Sequence, residues 1–289
     1  MGEPWRTAKE MASGKADHWS SEKYKNAAGF VPQLTTKVVQ YLSPQPNDKI
    51  LDIGCGDAQL TSVIAQQVNG SGRILGLDAS PSFIETAKSN NRAPNCQYEL
   101  QDCSRLSEHA SIDGSWDKVF SNAAMHWILR NPDTRVSFFH DINKALKPGG
   151  RFVFEMGGKG NVPEVQTAFT AALTTVGNLS IEKAREASPW FFPSVDWMSA
   201  TLAQAGFDVE VCELEYRPTK LTADKKDGSG WVEGFVRLMG AQFLEAVAEG
   251  RRDEVVKKVC EWIDGVVRRE EDGSKWLGYV RLRGVARKK

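Results

Sequence analysis

The stretch Lys49-Ile-Leu-Asp-Ile-Gly-Cys-Gly56 is an apolar run that stops abruptly on two glycines, and it constrains the fold more than any other part of the chain. It reads as a buried strand entering a tight turn. Beyond the turn, Leu60, Val63 and Ile64 recur at helical spacing within 57–67, so the unit is strand, glycine turn, helix. Glycines there let a ligand approach the backbone, and the first amides of the helix point toward it. A ligand-free connection satisfies the same pattern, so the rest of the chain has to decide.

Strand and helix go on alternating. Strands are expected at 73–77, 96–100 and 118–121, helices at 81–89 and 134–146, and a fifth strand at 151–155 after Lys147-Pro-Gly-Gly150. This predicts an α/β fold with a doubly wound, mostly parallel sheet. A helix at 162–176, an aromatic knot at Pro189-Trp-Phe-Phe-Pro193, a helix at 195–205 and a strand at 208–215 follow. Residues 228–270 read as helical, with Trp231, Phe235, Leu238 and Met239 on one face, and 275–286 reads as a strand. If that strand pairs antiparallel with 208–215, the sheet has seven strands and the helices between form an insertion over one end. The expected organisation is an arm with covering helices over 1–46, then one domain over 47–289 with lid insertions at about 179–193 and 224–270.

The 289 residues carry 37 basic and 37 acidic side chains, interspersed, which argues against a nucleic-acid groove or an anionic membrane surface and favours a small-molecule partner. Cys55, Cys96, Cys103, Cys212 and Cys260 show no metal-ligand spacing and are odd in number, so no metal and no disulfide framework is expected. A reducing, cytoplasmic setting fits them. No apolar run reaches membrane-spanning length, and monomer and homodimer both stay open.

Ligands of open α/β sheets sit outside the carboxyl ends of the strands, so strand-end residues matter most. Asp78 ends the second strand about twenty residues after Gly56, where its carboxylate can accept from two ribose hydroxyls. A dinucleotide turn wants a third glycine, which Gly54-Cys-Gly-Asp-Ala-Gln59 lacks. Asp102-Cys103 can meet an adenine edge; equally, Asp102 can cap a helix.

Taken in order, Ile-Leu-Asp-Ile-Gly-Cys-Gly (50–56), Gly-Leu-Asp-Ala-Ser (76–80), Gln-Asp (101–102), Trp-Asp-Lys-Val-Phe-Ser-Asn-Ala (116–123) and Leu-Lys-Pro-Gly-Gly-Arg-Phe (146–152) resemble the motifs of class I S-adenosylmethionine-dependent methyltransferases. Ala58 departs from the glycine often found at its position. A narrower resemblance, to the trans-aconitate methyltransferase group, rests on Trp19, Tyr24, Ser-Asn-Ala-Ala-Met-His-Trp (121–127) and Ala-Gly-Phe-Asp-Val (205–209) ahead of the helical insertion. The resemblance implies S-adenosylmethionine as cofactor. It implies Asp52, Gly54, Cys55 and Gly56 around the methionine part, Asp78 at the ribose, and Ala79, Asp102 and Cys103 at the adenine. Asn122 and Ala123 would flank the sulfonium, Trp19 and Tyr24 would cover the cofactor, and His126 and Trp127 would face the acceptor.

Methyl transfer from a sulfonium is an in-line displacement that demands alignment and exclusion of water. A carboxylate acceptor is already ionised and needs no base, whereas a hydroxyl or amine would call on His126. The aromatics Trp127, Trp190, Phe191, Trp231 and Phe235 are the expected acceptor pocket, with ordinary core packing as the competing reading. The leading expectation is therefore O-methylation of a small carboxylate or hydroxyl compound. Behind it stand a non-methylating, cofactor-assisted reaction on the same fold and a non-catalytic cofactor-binding regulatory subunit.

Overall fold

The computed structural model describes residues 35–91, 93–221 and 231–289, excluding the Trp231 side chain. One seven-stranded sheet forms its centre, built from β1 (Lys49–Ile53), β2 (Arg73–Asp78), β3 (Cys96–Leu100), β4 (Trp116–Asn122), β5 (Leu146–Gly157), β6 (Phe207–Tyr216) and β7 (Val280–Lys288). Their order across the sheet is β3-β2-β1-β4-β5-β7-β6. The pairs among β1 to β5 are parallel, and β7 runs antiparallel to both β5 and β6. A strand covered on both faces has no use for alternation, which is why Ile50, Leu51 and Ile53 are all fully buried.

One face of the sheet is covered by α5 (Arg135–Ala145) and α8 (Val195–Gln204), whose Phe138, Phe139, Ile142, Met198 and Leu202 pack on Leu51, Phe152 and Phe154. On the other, α1 (Thr36–Leu42) and α2 (Gln59–Ala65) bury Val38, Leu42 and Ile64 against Ile50, Ile74, Phe120 and Val153. The helix α3 (Pro81–Asn90) starts where its sequence says it should: Pro81 opens it and the Ser80 hydroxyl accepts from Phe83 N at 3.2 Å. A short α4 (Met125–Ile128) follows β4 directly.

A second hydrophobic core is separate from the sheet's own. It joins α6 (Pro163–Thr175) and α7 (Ile181–Glu186) to α9 (Trp231–Met239), α10 (Ala241–Glu245) and α11 (Arg252–Val267). Both insertions expected from the sequence contribute to it.

Two local details differ from the sequence reading. The helix after the glycine turn is shorter than 57–67, because Ala58 takes a left-handed φ of +64° and the helical path begins only after it. Lys147-Pro-Gly-Gly150 does not separate helix from strand; it bulges within β5, where the register jumps from Trp116↔Leu146 to Lys118↔Arg151. No helix among the described residues is long and apolar enough to cross a membrane.

Candidate active site

The glycine turn ties the ends of β1 and β2 together. Gly54 N and Cys55 N both donate to Leu77 O, at 2.8 and 3.0 Å. Gly56 N donates to Asp78 Oδ2 and Ser80 N to Asp78 Oδ1, each at 2.9 Å. These turn amides therefore face β2 rather than a ligand. Gly54, at φ +74°, has Ala124 Cβ 2.1 Å from where a side chain would begin. Gly56, at φ +58°, has open space there.

Asp52 lies buried beside the turn and accepts from Thr61 Oγ1 at 2.6 Å. Burial, reinforced by the neighbouring Asp78 charge, pushes its carboxyl up to about 7. Burial also pushes the Cys55 and Cys103 thiols up, which makes both poor nucleophiles. Asp102 does cap the short 3₁₀ turn that follows, accepting from Ser104 N and Ser104 Oγ at 3.0 and 2.7 Å. Ala79 is exposed just beyond Asp78.

At the end of β4 the Asn122 Oδ1 is buried with no hydrogen-bond partner among the described residues, and Ala123 is held at φ +56°. An orphaned buried acceptor and strained backbone at one strand end are marks of a ligand site. Together with two carboxylates on adjacent strand ends and the open space at Gly56, they fit a ligand that brings positive charge and hydroxyl donors, as S-adenosylmethionine does.

Ala123 also opens the second part of the site, a cavity of about 60 Å³. His126, Trp127, Trp190, Phe192 and Phe235 line it, with Asn161 and Arg281 as polar members. Trp127 meets Trp190 edge-on at 5.6 Å, and Trp190 stacks on Phe192 at 5.7 Å. His126 sits between Trp127 and Phe192, and Gly157 N donates to its Nδ1 at 3.3 Å. Burial and the nearby Arg281 charge push its imidazole down to about 3, so it is neutral at physiological pH.

Arg281 is 3% exposed and lies over the Tyr279 ring, 4.8 Å from its centroid. Glu155 lies 3.7 Å from its guanidinium and is shared with Arg217 at 2.9 Å and Arg283 at 2.5 Å. Arg283 is partnered again by Glu215 on β6. One buried carboxylate thus holds three guanidiniums, and Arg281 brings its own to the cavity wall.

Of the aromatics expected in the pocket, Phe191 is the one the structure places elsewhere. Its ring packs on Trp197 at 4.9 Å and under the Arg135 guanidinium at 3.6 Å, in the sheet's core, because the extended knot turns alternate side chains to opposite sides. Phe235 lines the cavity and is also buried in the second core, so the two readings of it coincide. Trp19, Tyr24 and the Trp231 side chain lie outside the described residues. Asn161, Phe192, Tyr279 and Arg281 escaped the sequence reading. A signal existed for one of them: Arg281 and Arg283 share one face of β7 between apolar or small neighbours, where two charges in step are unexpected.

A family described as "Methyltransferase domain" matches residues 50–150. The chain is 35% identical over 274 residues to the uncharacterized methyltransferase C70.08c of Schizosaccharomyces pombe, covering 94% of this chain and 98% of that protein. It is 32% identical over 132 residues to a trans-aconitate 2-methyltransferase of Deinococcus radiodurans, a match confined to 46% of each chain. A solved S-adenosylmethionine-dependent methyltransferase from Methanosarcina mazei shares the fold, with a TM-score of 0.52 at 15% identity, over 88% of this chain and 98% of that one.

Proposed function

Because the chain belongs to the class I S-adenosylmethionine-dependent methyltransferase family, we propose that it O-methylates a small carboxylic acid held in the aromatic cavity. When bound, S-adenosylmethionine supplies a methyl on a sulfonium, and the acceptor's lone pair forms the O–CH₃ bond as the C–S bond breaks, sulfur keeping the pair and leaving as a neutral thioether. Asp52, with Gly54, Cys55 and Gly56 beside it, holds the cationic methionine end in this reading, and Asp78 holds the ribose. Ala79, Asp102 and Cys103 border the adenine, and the Asn122 carbonyl takes a donor from the cofactor. Trp127, Trp190 and Phe235 exclude water and align the acceptor, a contribution of roughly 7–11 kcal/mol when alignment is complete.

The observation that carries this reading is Arg281. Among the described side chains that line the cavity it is the one that is ionised, since His126 is neutral, and the remainder are apolar, aromatic or amide. A buried guanidinium in an aromatic cleft suits an anionic substrate. The state of His126 supports the same choice: an imidazole held near 3 is poorly matched to taking a proton from a phenol or alcohol, and a carboxylate needs none removed.

The test is incubation of the protein with methyl-labelled cofactor and a panel of small acids, phenols, alcohols and amines, read by mass spectrometry. The expected products are methyl esters with matching S-adenosylhomocysteine. Labelled amines or phenol ethers with no ester would refute the acid reading, and acceptor conversion without S-adenosylhomocysteine would replace methylation by another reaction.

A further inference from the structure

Two side chains from different segments, Asn161 and His126, both at least nine-tenths buried, turn hydrogen-bond donors toward the cavity, and the equally buried Arg281 brings a guanidinium to its wall. For the first two, backbone amides fix which atoms face inward. Val280 N donates to Asn161 Oδ1 at 2.9 Å, and because a backbone N–H can only donate, the carbonyl end of that amide is identified and its NH₂ is left for the cavity. Likewise Gly157 N donates to His126 Nδ1, so the neutral imidazole carries its hydrogen on Nε2. No group among the described residues meets that Nε2.

Gly157 organises both. Its amide orients the histidine, and its missing side chain makes room for Asn161, whose Nδ2 lies 2.9 Å from where a Cβ would stand. Arg281 is fixed by Glu155 and by the Tyr279 ring beneath it.

We propose that Asn161 and His126, beside the Arg281 guanidinium, form a donor-only cradle for one ionised carboxylate and are the specificity-determining residues that tell an acid from its amide or ester. The inference rests on the acid-methylating reading and adds the groups that recognise the anion. A carboxylate presents only acceptors, so it can satisfy both fixed donors while its charge faces the guanidinium beside them. A primary amide sets its own N–H groups against them and leaves buried donors unpaired, the kind of mismatch on which strong discrimination is built. With one oxygen held by the cradle, the other keeps its lone pair for the methyl. Methylation then removes the charge that the cradle grips, so the ester binds less tightly than the acid.

The experiment is calorimetric titration of the full chain, saturated with S-adenosylhomocysteine, with benzoate, cinnamate and hexanoate and with their primary amides and methyl esters. Variants are Asn161→Asp, which keeps an oxygen for Val280 N, and His126→Gln beside His126→Ala. At least one acid should bind, and its amide and ester should bind at least tenfold more weakly. Asn161→Asp should weaken the acid a hundredfold with cofactor-product affinity and melting temperature near wild type. His126→Ala should weaken it about tenfold, and His126→Gln, whose side-chain amide restores a donor, should recover to within threefold. If no acid binds, if amides bind as well as acids, or if Asn161→Asp binds acids like wild type, the cradle is wrong. Normal acid affinity in the variants, with methyl esters formed by the wild type in the labelled-cofactor panel, would sink the cradle alone, whereas methylated amines or phenols without ester in that panel would sink the acid reading itself.

Discussion

Asp52 and His126 are both buried and both neutral-leaning at physiological pH, yet they respond to pH with opposite sign. The Asp52 carboxyl is raised to about 7, so its contribution to stability is fully present below the unfolded value near 4 and is lost as pH rises through about 7. A cationic cofactor favours the ionised form. Cofactor binding should therefore release a proton below about pH 7 and tighten as pH climbs to that value, then level off. Calorimetry at pH 6 in buffers of different ionisation heat will show the release, and Asp52→Asn should abolish it. His126 is lowered to about 3, so its contribution is present above the unfolded value near 6.5 and is lost as pH falls toward 3. Acceptor kcat/KM should accordingly show no histidine limb between pH 6 and 8 in a pH–rate series. Asp78 joins two jobs: besides its proposed ribose contacts, it accepts from Gly56 N and Ser80 N. Asp78→Ala should weaken S-adenosylhomocysteine about ten- to a hundredfold, the loss of roughly 1.5–3 kcal/mol of charge-assisted bonding. It should lower the melting temperature as well, and unchanged affinity in a folded variant would remove Asp78 from the cofactor site.

The Pro189–Pro193 knot shows how far one element's facing can be read from its residues. Its wealth of aromatics was plain from the sequence, but three rings in a row between prolines carry no period that says which side each one takes. The structure sends Trp190 and Phe192 to the cavity and Phe191 to the sheet's core. Phe191→Ala should therefore cost about 3 kcal/mol in urea unfolding and leave acceptor KM alone. Trp190→Ala, half-buried at the cavity, should raise acceptor KM with the smaller loss of stability. The reverse pattern would exchange their roles. By contrast, the strand–turn–helix unit around Gly54 was legible because local pattern determines it: an apolar run, a turn requiring positive φ, and helical spacing after it. Nothing local reveals that Leu77 O and Asp78 take the turn amides of Gly54, Cys55 and Gly56.

At the scale of the whole molecule, Glu155 joins β5, β7 and the segment after β6 through Arg281, Arg283 and Arg217. Removing its charge strands buried guanidiniums, so Glu155→Gln should destabilise by about 3–5 kcal/mol, measured by urea titration. A loss below about 1 kcal/mol would mean that Glu213 and Glu215 already suffice. The places of Asp52, Asp78 and Asn122 were readable from sequence because they stand at or near the ends of successive parallel strands. Asn161 and Arg281 were not, because their place depends on pairing between β5 and a strand far along the chain. That pairing also sets a timetable. Within the sheet β6 touches only β7, and β7 is the last of these strands to be synthesised. A nascent chain that has passed Tyr216 carries an orphan strand until Val280 and its successors emerge from the ribosome. Sheet completion and arrival of Arg281 are then the same event, so a translation product cut short before β7 leaves β5 and β6 with open, adhesive edges, and is material for proteolysis rather than a weaker enzyme.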